Sequence, residues 1–302
     1  MDSPRTAVVI LNWNGLADTR ACLASLGAEA GAPMKVIVVD NGSTDGSVEA
    51  LPREFPGIEM IANGRNLGFA EGNNVGIRRA LETGADYVLA LNNDTVAGPG
   101  FLAKLVETAR ADGSIGILGP RLNRFPERDR VWFAGGNVSR WLGWTWHAAN
   151  RARDREQFAG VVDEDYQTGA AMMLSRACIE KAGLFDPDYV SYFEDADLCL
   201  RARAAGFRVA CRRDAVVYHK VSASTGGGLT PGKAYRKILS GARFFRRWAG
   251  PARYYTTVAI FNWAYALATA VAMLVAGRPA VAGAIVRGFA DLLGGKDRDR
   301  LK

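Results

Sequence analysis

The sequence is poor in cysteine and histidine, and carries no recognisable leader. Its four cysteines, Cys22, Cys178, Cys199 and Cys211, stand far apart with no CxxC pair. That spacing argues against a zinc ribbon or a disulfide scaffold and fits a reducing compartment. The opening MDSPRTAVVILNWNG has no cleavable signal pattern, because its apolar run is short and reads as a strand. Disorder is excluded as well: 49% of the 302 residues are hydrophobic, ample for a packed core. The length is about twice that of a usual single domain, so one large domain or a domain with an appendage is expected.

The net charge of +7 first suggests nucleic acid, but its distribution removes that reading. Residues 231–302 hold 13 Lys/Arg against 3 Asp/Glu, whereas residues 1–230 hold 25 against 28. The basic character belongs to one end. The larger part is mildly acidic, unlike a surface that tracks phosphates, so no nucleic-acid partner is expected.

The first two-thirds alternates short apolar runs with amphipathic stretches. Strands are expected at Ala7–Leu11, Lys35–Val39, Ile58–Ile61, Tyr87–Leu91 and Ile115–Leu118, with helices near Leu16–Leu26, Asp45–Leu51, Ala70–Leu81 and Gly100–Ala111. This alternation predicts βαβ units and an α/β fold with a mostly parallel central sheet. Ligands bind such sheets outside the carboxyl ends of the strands. There the sequence places Asn12-Trp13-Asn14-Gly15, Asp40-Asn41-Gly42-Ser43, Asn63 to Asn74 and Asn92-Asn93-Asp94-Thr95. Each segment alone is also good turn chemistry. Four at one sheet edge favour a polar binding cleft.

Downstream, Tyr166-Gln167-Thr168-Gly169-Ala170-Ala171-Met172-Met173-Leu174 precedes Tyr192-Phe193-Glu194-Asp195-Ala196-Asp197, where a helix is expected from Ala196. Three carboxylates in four residues suit a helix N-terminus. Their mutual repulsion also marks a place that holds a cation or moves a proton. A last strand, Val209–Tyr218, ends at His219, one of only two histidines. Four tryptophans between Trp132 and Trp146 fit either acceptor stacking or a hydrophobic lid.

With these residues assembled, about 1–225 resembles glycosyltransferase family 2, and within it the rhamnosyltransferase-like enzymes that extend lipid-linked glycans. The resemblance rests on VVILNWNG, VVDNGSTDGS, NLGFAEGNNVG, LNNDT, TGAAMMLSR and YFEDADLCLRARAAGF, in that order. It implies a GT-A nucleotide-sugar-binding fold, transfer from a nucleotide-diphosphate sugar with inversion, and Mg²⁺ or Mn²⁺. By the same resemblance Asp40 contacts the nucleoside base with Asn12 beside it, and Asn66, Gly68 and Asn73 line the diphosphate or ribose side. Asn92-Asn93-Asp94 occupies the Asp-x-Asp place, with Asn92 at the donor and Asp94 as the retained metal carboxylate. His219 completes the metal site, and Asp195 is the general base. Asn92 departs from the usual first carboxylate, which shifts the cation's dependence onto Asp94, His219 and the donor phosphates. The implied activity is transfer of a sugar, with dTDP-rhamnose the candidate donor, to a polyprenyl-linked glycan in cell-envelope polysaccharide synthesis. A UDP-hexose transferase with a soluble or protein acceptor, and a non-catalytic nucleotide- or carbohydrate-binding module, are the alternatives.

The division expected is a catalytic domain at 1–230 and a basic, apolar helical tail at 231–302. Lys233–Ala249 is amphipathic at helical spacing, with Lys233, Arg236, Arg243 and Arg247 on its polar face, a membrane-surface pattern or a solvated domain helix. Tyr254–Gly277 carries no formal charge and is long enough to span a bilayer. A crossing, an interfacial or re-entrant pair with Ala280–Leu293, and a soluble helix all stay open. Lys/Arg upstream of the apolar run would place the catalytic part on the cytoplasmic face. Homo-oligomerisation is left open as well.

Overall fold

A computed structural model describes residues 5–27, 33–154, 158–189, 191–221 and 228–295. In chain order the elements are β1 (Thr6–Asn12), α1 (Leu16–Gly27), β2 (Met34–Asp40), α2 (Ser47–Glu54), β3 (Ile58–Ala62), α3 (Gly68–Glu82), β4 (Tyr87–Asn92), β5 (Thr95–Ala97) and α4 (Phe101–Ala111). There follow β6 (Ile115–Arg124), β7 (Val131–Phe133), β8 (Gly136–Ser139), β9 (Trp144–His147), β10 (Val161–Asp163), β11 (Ala171–Ser175), α5 (Arg176–Ala182), α6 (Glu194–Ala204) and β12 (Arg208–His219). The chain closes with α7 (Pro231–Ala249), the short α8 (Pro251–Arg253), a π-helical turn (Tyr254–Val258), α9 (Ala259–Val275) and α10 (Pro279–Leu293).

The main sheet runs β10-β12-β6-β11-β4-β1-β2-β3, with β5 against β12 and β7 against β6. β3, β2, β1 and β4 are mutually parallel, as are β6 and β12. β11 lies between β4 and β6 and is antiparallel to both. Its sequence, AMMLS, lacks the β-branched alternation of its neighbours. The strand sits in the middle of the sheet although nothing in its pattern announces one.

Register explains why the polar segments converge. Asn12 pairs with Asp40 across β1 and β2, Asp40 with Ala62, and Leu11 with Asn92. The carboxyl ends of β1, β2, β3 and β4 are therefore level. Both faces are covered, and Val8, Val9, Ile10, Ile37, Val38, Val39 and Leu89 are wholly buried. α3 comes close enough that a Cβ on Gly76 would fall 2.4 Å from a methyl of Val9, so only glycine fits there.

The C-terminal helices divide differently from the sequence pattern. In α7, Ala242, Phe244, Phe245 and Ala249 join the same core as the sheet, together with Tyr254 and Val258. α9 and α10 share a separate small cluster in which Ala266, Ala270, Val281 and Ile285 meet Ala234 of α7. The basic face of α7 is only partly solvated. Arg243 pairs with Asp188 at 2.5 Å, Arg247 reaches Asp197 at 3.2 Å, and Lys233 is buried. The continuous helical stretch Pro251–Val275 has 25 residues, an 18-residue window of it reaches mean hydropathy 1.9, and Ile260, Leu267, Val271, Leu274 and Val275 are exposed on it. By length and composition it could cross a bilayer.

Candidate active site

At the level strand ends, Asp40 is buried and accepts three hydrogen bonds. Asn12 Nδ2 donates at 2.7 Å, the Ser43 amide at 2.8 Å and the Ser43 hydroxyl at 2.6 Å. Asn12 Oδ1 in turn accepts from the Thr19 hydroxyl at 2.8 Å and from Asn93 Nδ2 at 3.2 Å. Asn66 Oδ1 accepts from the Gly68 amide at 2.8 Å, fixing the turn into α3, where Gly68 takes φ 80°. Asn73 is buried and donates to the Phe69 carbonyl at 2.9 Å, a bond inside its own helix. Asn12, Asp40 and Asn66 thus form one preorganised edge, while Asn73 serves the helix beside it.

Asp94 follows β4 and is brought to His219 because β5 pairs antiparallel with the end of β12, Thr95 opposite His219. His219 Nε2 and Asp94 Oδ1 lie 3.0 Å apart, both buried. The other imidazole nitrogen, Nδ1, has no hydrogen-bond partner among the described residues. Trp132 stands edge-on to the imidazole, with centroids 4.6 Å apart. Residues 125 positions apart in the chain are thereby joined as one carboxylate–imidazole pair.

Asp195 is held by a strained turn. Tyr192 and Phe193 both adopt left-handed backbone, φ 74° and φ 70°, immediately before α6. Two such non-glycine residues cost on the order of 1–3 kcal/mol each and persist only under strong surrounding constraint. α7 supplies that constraint: the Phe193 ring packs on Phe244 and Phe245, and the Ser240 hydroxyl donates to the Ser191 carbonyl at 3.0 Å. The turn aims Asp195 at the loop before β11, where the Gly169 amide donates to Oδ2 at 3.0 Å. The Ala196 amide donates to Oδ1 at 2.8 Å. A Cβ on Gly169 would fall 2.9 Å from the Phe69 ring, so the close approach requires glycine.

The three carboxylates of this segment separate into different tasks. Asp197 is wholly buried and turned toward α7, accepting from Trp248 Nε1 at 2.9 Å and Arg201 Nε at 2.8 Å. It braces α6 against α7. Burial pushes the Asp195 carboxyl above its ordinary range, against the opposing effect of the backbone amides and the Thr168 hydroxyl. Glu194 is pushed up much further, by burial first and then by the Asp195 charge, and its Oε2 has no partner among the described residues.

Asn92, Asp94, His219 and Asp195 line one cavity of about 900 Å³, which continues along α7 to α9 and α10. Asn12, Asp40, Asn66, Gly68 and Asn73 do not line it; Asn12 and Asp40 stand beyond Asn92 along the sheet edge. Trp132 and His147 form part of its wall, and burial lowers His147 to about 4. Trp141 is exposed with the Arg253 guanidinium 3.8 Å over its ring, and Trp144 meets Tyr265 edge-on at 4.7 Å. The hairpin β8–β9 therefore joins the sheet edge to α9. Thr168, Gly169, Lys233 and Lys237 also line this cavity. The TGAAMMLSR motif signals the first two; helical spacing places Lys233 on the polar face of α7, and nothing in the pattern marks Lys237.

Among the described residues no cluster of three or more His, Cys, Asp or Glu side chains could enclose a metal. The Asp94–His219 pair nonetheless fits a cation held jointly with a phosphorylated ligand: it offers one carboxylate and one imidazole with an orphaned nitrogen, at a cavity wall. Hard cations commonly take their remaining ligands from phosphates and water. All four cysteines are buried and free.

The sequence profile of Glycosyl transferase family 2 matches residues 7–182. An N-acetylglucosaminyl-diphospho-decaprenol L-rhamnosyltransferase of Mycobacterium tuberculosis is 30% identical over 224 residues, 68% of this chain and 72% of that protein. A dTDP-rhamnosyl transferase of Shigella flexneri, RfbF, is 24% identical over 62% of this chain and 60% of that one. Among solved structures, the mannosyltransferase PcManGT from Pyrobaculum calidifontis, in complex with GDP-Man and Mn²⁺, superposes with TM-score 0.61. It shares 18% identity over 97% of this chain and 88% of that chain. S. aureus TarS residues 1–349 in complex with UDP gives 0.55 at 15% identity, covering 80% of this chain and 65% of that one. At these identities the likeness is one of fold, and the fold is GT-A.

Proposed function

We propose, from the premise that this chain belongs to glycosyl transferase family 2 and is rhamnosyltransferase-like, that it moves rhamnose from dTDP-rhamnose to a polyprenyl-diphosphate-linked saccharide at the cytoplasmic face of a membrane. One observation carries this reading: Asp195, Asp94 and His219 line a single cavity beside the carboxyl end of β4, with the hydrogen-bonded Asp40–Asn12 edge next to it. The names of the Mycobacterium and Shigella relatives support the lipid acceptor and the dTDP donor.

In this reading the nucleoside lies over Asn12 and Asp40, and its diphosphate reaches past Asn66, Gly68 and Asn92 toward Asp94. Mg²⁺ or Mn²⁺ at Asp94 and His219 supplies electrostatic stabilisation of the departing diphosphate. Asp195 takes the proton of the acceptor hydroxyl as that oxygen attacks the anomeric carbon from the face opposite the leaving group. The raised carboxyl makes Asp195 a stronger base than a solvated aspartate, while the Gly169 and Ala196 amides hold it oriented. The attack is a direct displacement and inverts the anomeric centre.

The exposed apolar residues of α9 support membrane association of this part of the chain. α7 and the turn through Val258 belong with the catalytic unit in this reading, and the membrane-associating segment follows Val258.

A donor screen tests the proposal. Full-length protein is given dTDP-rhamnose, UDP-hexoses and GDP-mannose with an N-acetylglucosamine diphosphate lipid, in Mg²⁺, Mn²⁺ or excess EDTA. Transfer from dTDP-rhamnose, lost in EDTA, is expected. Transfer only from a UDP-hexose to a soluble acceptor would replace the donor and acceptor assignment, and full activity in EDTA would remove the metal from Asp94 and His219.

A further inference from the structure

The cavity does not stop at Asp195. It extends along α7, where Lys233 and Lys237 line it, and on to Ala266, Ile285, Phe289 and Leu292 of α9 and α10. Two cations therefore stand between a carboxylate site and an apolar one. Contacts fix that sequence along α7. Gly241, Phe244 and Phe245 meet Phe193 of the catalytic turn, whereas Ala234 and Ile238 meet the α9–α10 cluster. Lys237 falls within the second stretch, between Ala234 and Ile238, yet its ammonium reaches 5.1 Å from the centroid of the ring of Tyr192, two residues before Glu194. Lys233 is one turn earlier and buried, donating to the Gly228 carbonyl at 3.1 Å.

Two further cations of α7 are otherwise engaged. Arg243 meets Asp186 and Asp188, and Arg247 meets Asp186 and Asp197. Lys237 differs: among the described residues no carboxylate lies within ion-pair distance of it. A lysine facing a cavity without an acidic partner, next to a buried second lysine, creates a positive potential that suits an anion. The anion must also carry a long apolar group, because the same cavity continues onto Ile285, Phe289 and Leu292. A nucleoside diphosphate does not meet that description, and its expected edge at Asp40 and Asn12 lies outside this cavity.

We infer that Lys237 and Lys233 hold the diphosphate of a lipid-diphosphate acceptor, with the first segment of its hydrocarbon chain against the α9–α10 wall. The inference rests on the proposed transfer reading and adds the subsite that places the acceptor. A diphosphate anchored at Lys237 leaves the sugar on its other side within the part of the cavity that Asp195 lines, which positions the hydroxyl for deprotonation.

Geranyl diphosphate, geraniol, UDP and dTDP are the probes, each titrated by calorimetry into the full chain in mild detergent. Wild type is expected to bind geranyl diphosphate at least tenfold more tightly than geraniol. Lys237→Glu should weaken geranyl diphosphate at least tenfold while leaving both nucleotides within twofold, and Lys237→Gln should give an intermediate loss. Unchanged melting temperature in Lys237→Gln keeps a folding defect separate. Equal binding of geranyl diphosphate by all three proteins would overturn the inference, as would loss of nucleotide instead of lipid binding. If lipid diphosphate binding depends on Lys237 but no nucleotide sugar is turned over, the transfer reading fails and this subsite stands. If transfer proceeds and Lys237 is indifferent to geranyl diphosphate, the subsite alone fails.

Discussion

Along the edge formed by β1, β2 and the turn into α3, polar side chains are bonded to one another: Asn12 to Asp40, Thr19 and Asn93, Asn41 to Asn63 and Gly68, Asn66 to Gly68. Around Asp195 the pattern reverses. Glu194 Oε2, both amide atoms of Gln167 and His219 Nδ1 are buried with no partner among the described residues, and the backbone leading to Asp195 is strained. Unsatisfied buried polar groups cost about 1–3 kcal/mol each, so they are retained where something other than stability is served. The first region is built as a rigid cradle, the second carries unsatisfied groups and a strained turn, and α7 is the element that holds that second part in shape.

The largest effect expected from breaking this arrangement comes from removing α7. A chain ending after Thr230 loses Phe244 and Phe245, both buried against Phe193. Deleting a buried Phe costs about 3–5 kcal/mol, and two such losses rival the whole stability of a domain, about 5–15 kcal/mol. That truncation should fail to give soluble folded protein. A chain ending after Val258 retains this packing and should keep its melting transition and nucleotide binding, yet no longer float with anionic liposomes. Circular dichroism melts and flotation of the two truncations check both statements.

Asp40→Ala probes the cradle. It removes the acceptor of the Ser43 amide and hydroxyl and one of the two acceptors of Asn12 Nδ2, so chemical denaturation should show a loss of about 1–3 kcal/mol. Nucleoside diphosphate binding should weaken at least tenfold, whereas geranyl diphosphate binding should stay within twofold. Loss of both ligands together would merge the two regions into one site.

The smallest effect is a pH slope. Glu194 has a folded-state pKa well above its ordinary 4.5, so the folded protein keeps a proton that the unfolded chain releases. Its contribution to stability is therefore largest at low pH and falls as pH rises from about 4.5 toward the raised value, by at most about 1.4 kcal/mol per pH unit. Asp195, raised as well, acts with the same sign. Glu194→Gln should flatten the slope of unfolding free energy between pH 4.5 and 7 without removing it. An unaltered slope would mean that Glu194 is ionised in the folded protein.

Legibility from sequence followed the same divide. The strands at Ala7, Lys35, Ile58, Tyr87, Ile115 and Val209 and the helices between them were readable, because both faces of a parallel sheet demand continuous apolar runs. Family motifs also pointed to Asp94, His219 and Asp195, which the fold brings to one cavity. β11 was not readable, since its Ala-Met-Met core carries no strand period. The partition of Glu194, Asp195 and Asp197 was hidden because adjacent positions on a helix start point in different directions, and only α7 decides which one is braced. α7 itself read as a basic surface helix: spacing shows where charges lie on a helix but not that Asp186, Asp188 and Asp197 wait opposite them.

In the proposed reaction Asp195 deprotonates the acceptor while the cradle holds the donor independently. Asp195→Asn preserves shape and removes the base, so labelled-sugar transfer by the variant is measured beside nucleotide calorimetry. General-base catalysis contributes about 10²–10⁴-fold, and transfer should fall in that range with dTDP or UDP affinity within threefold of wild type. Transfer within tenfold of wild type, or loss of nucleotide binding in parallel with transfer, would contradict it.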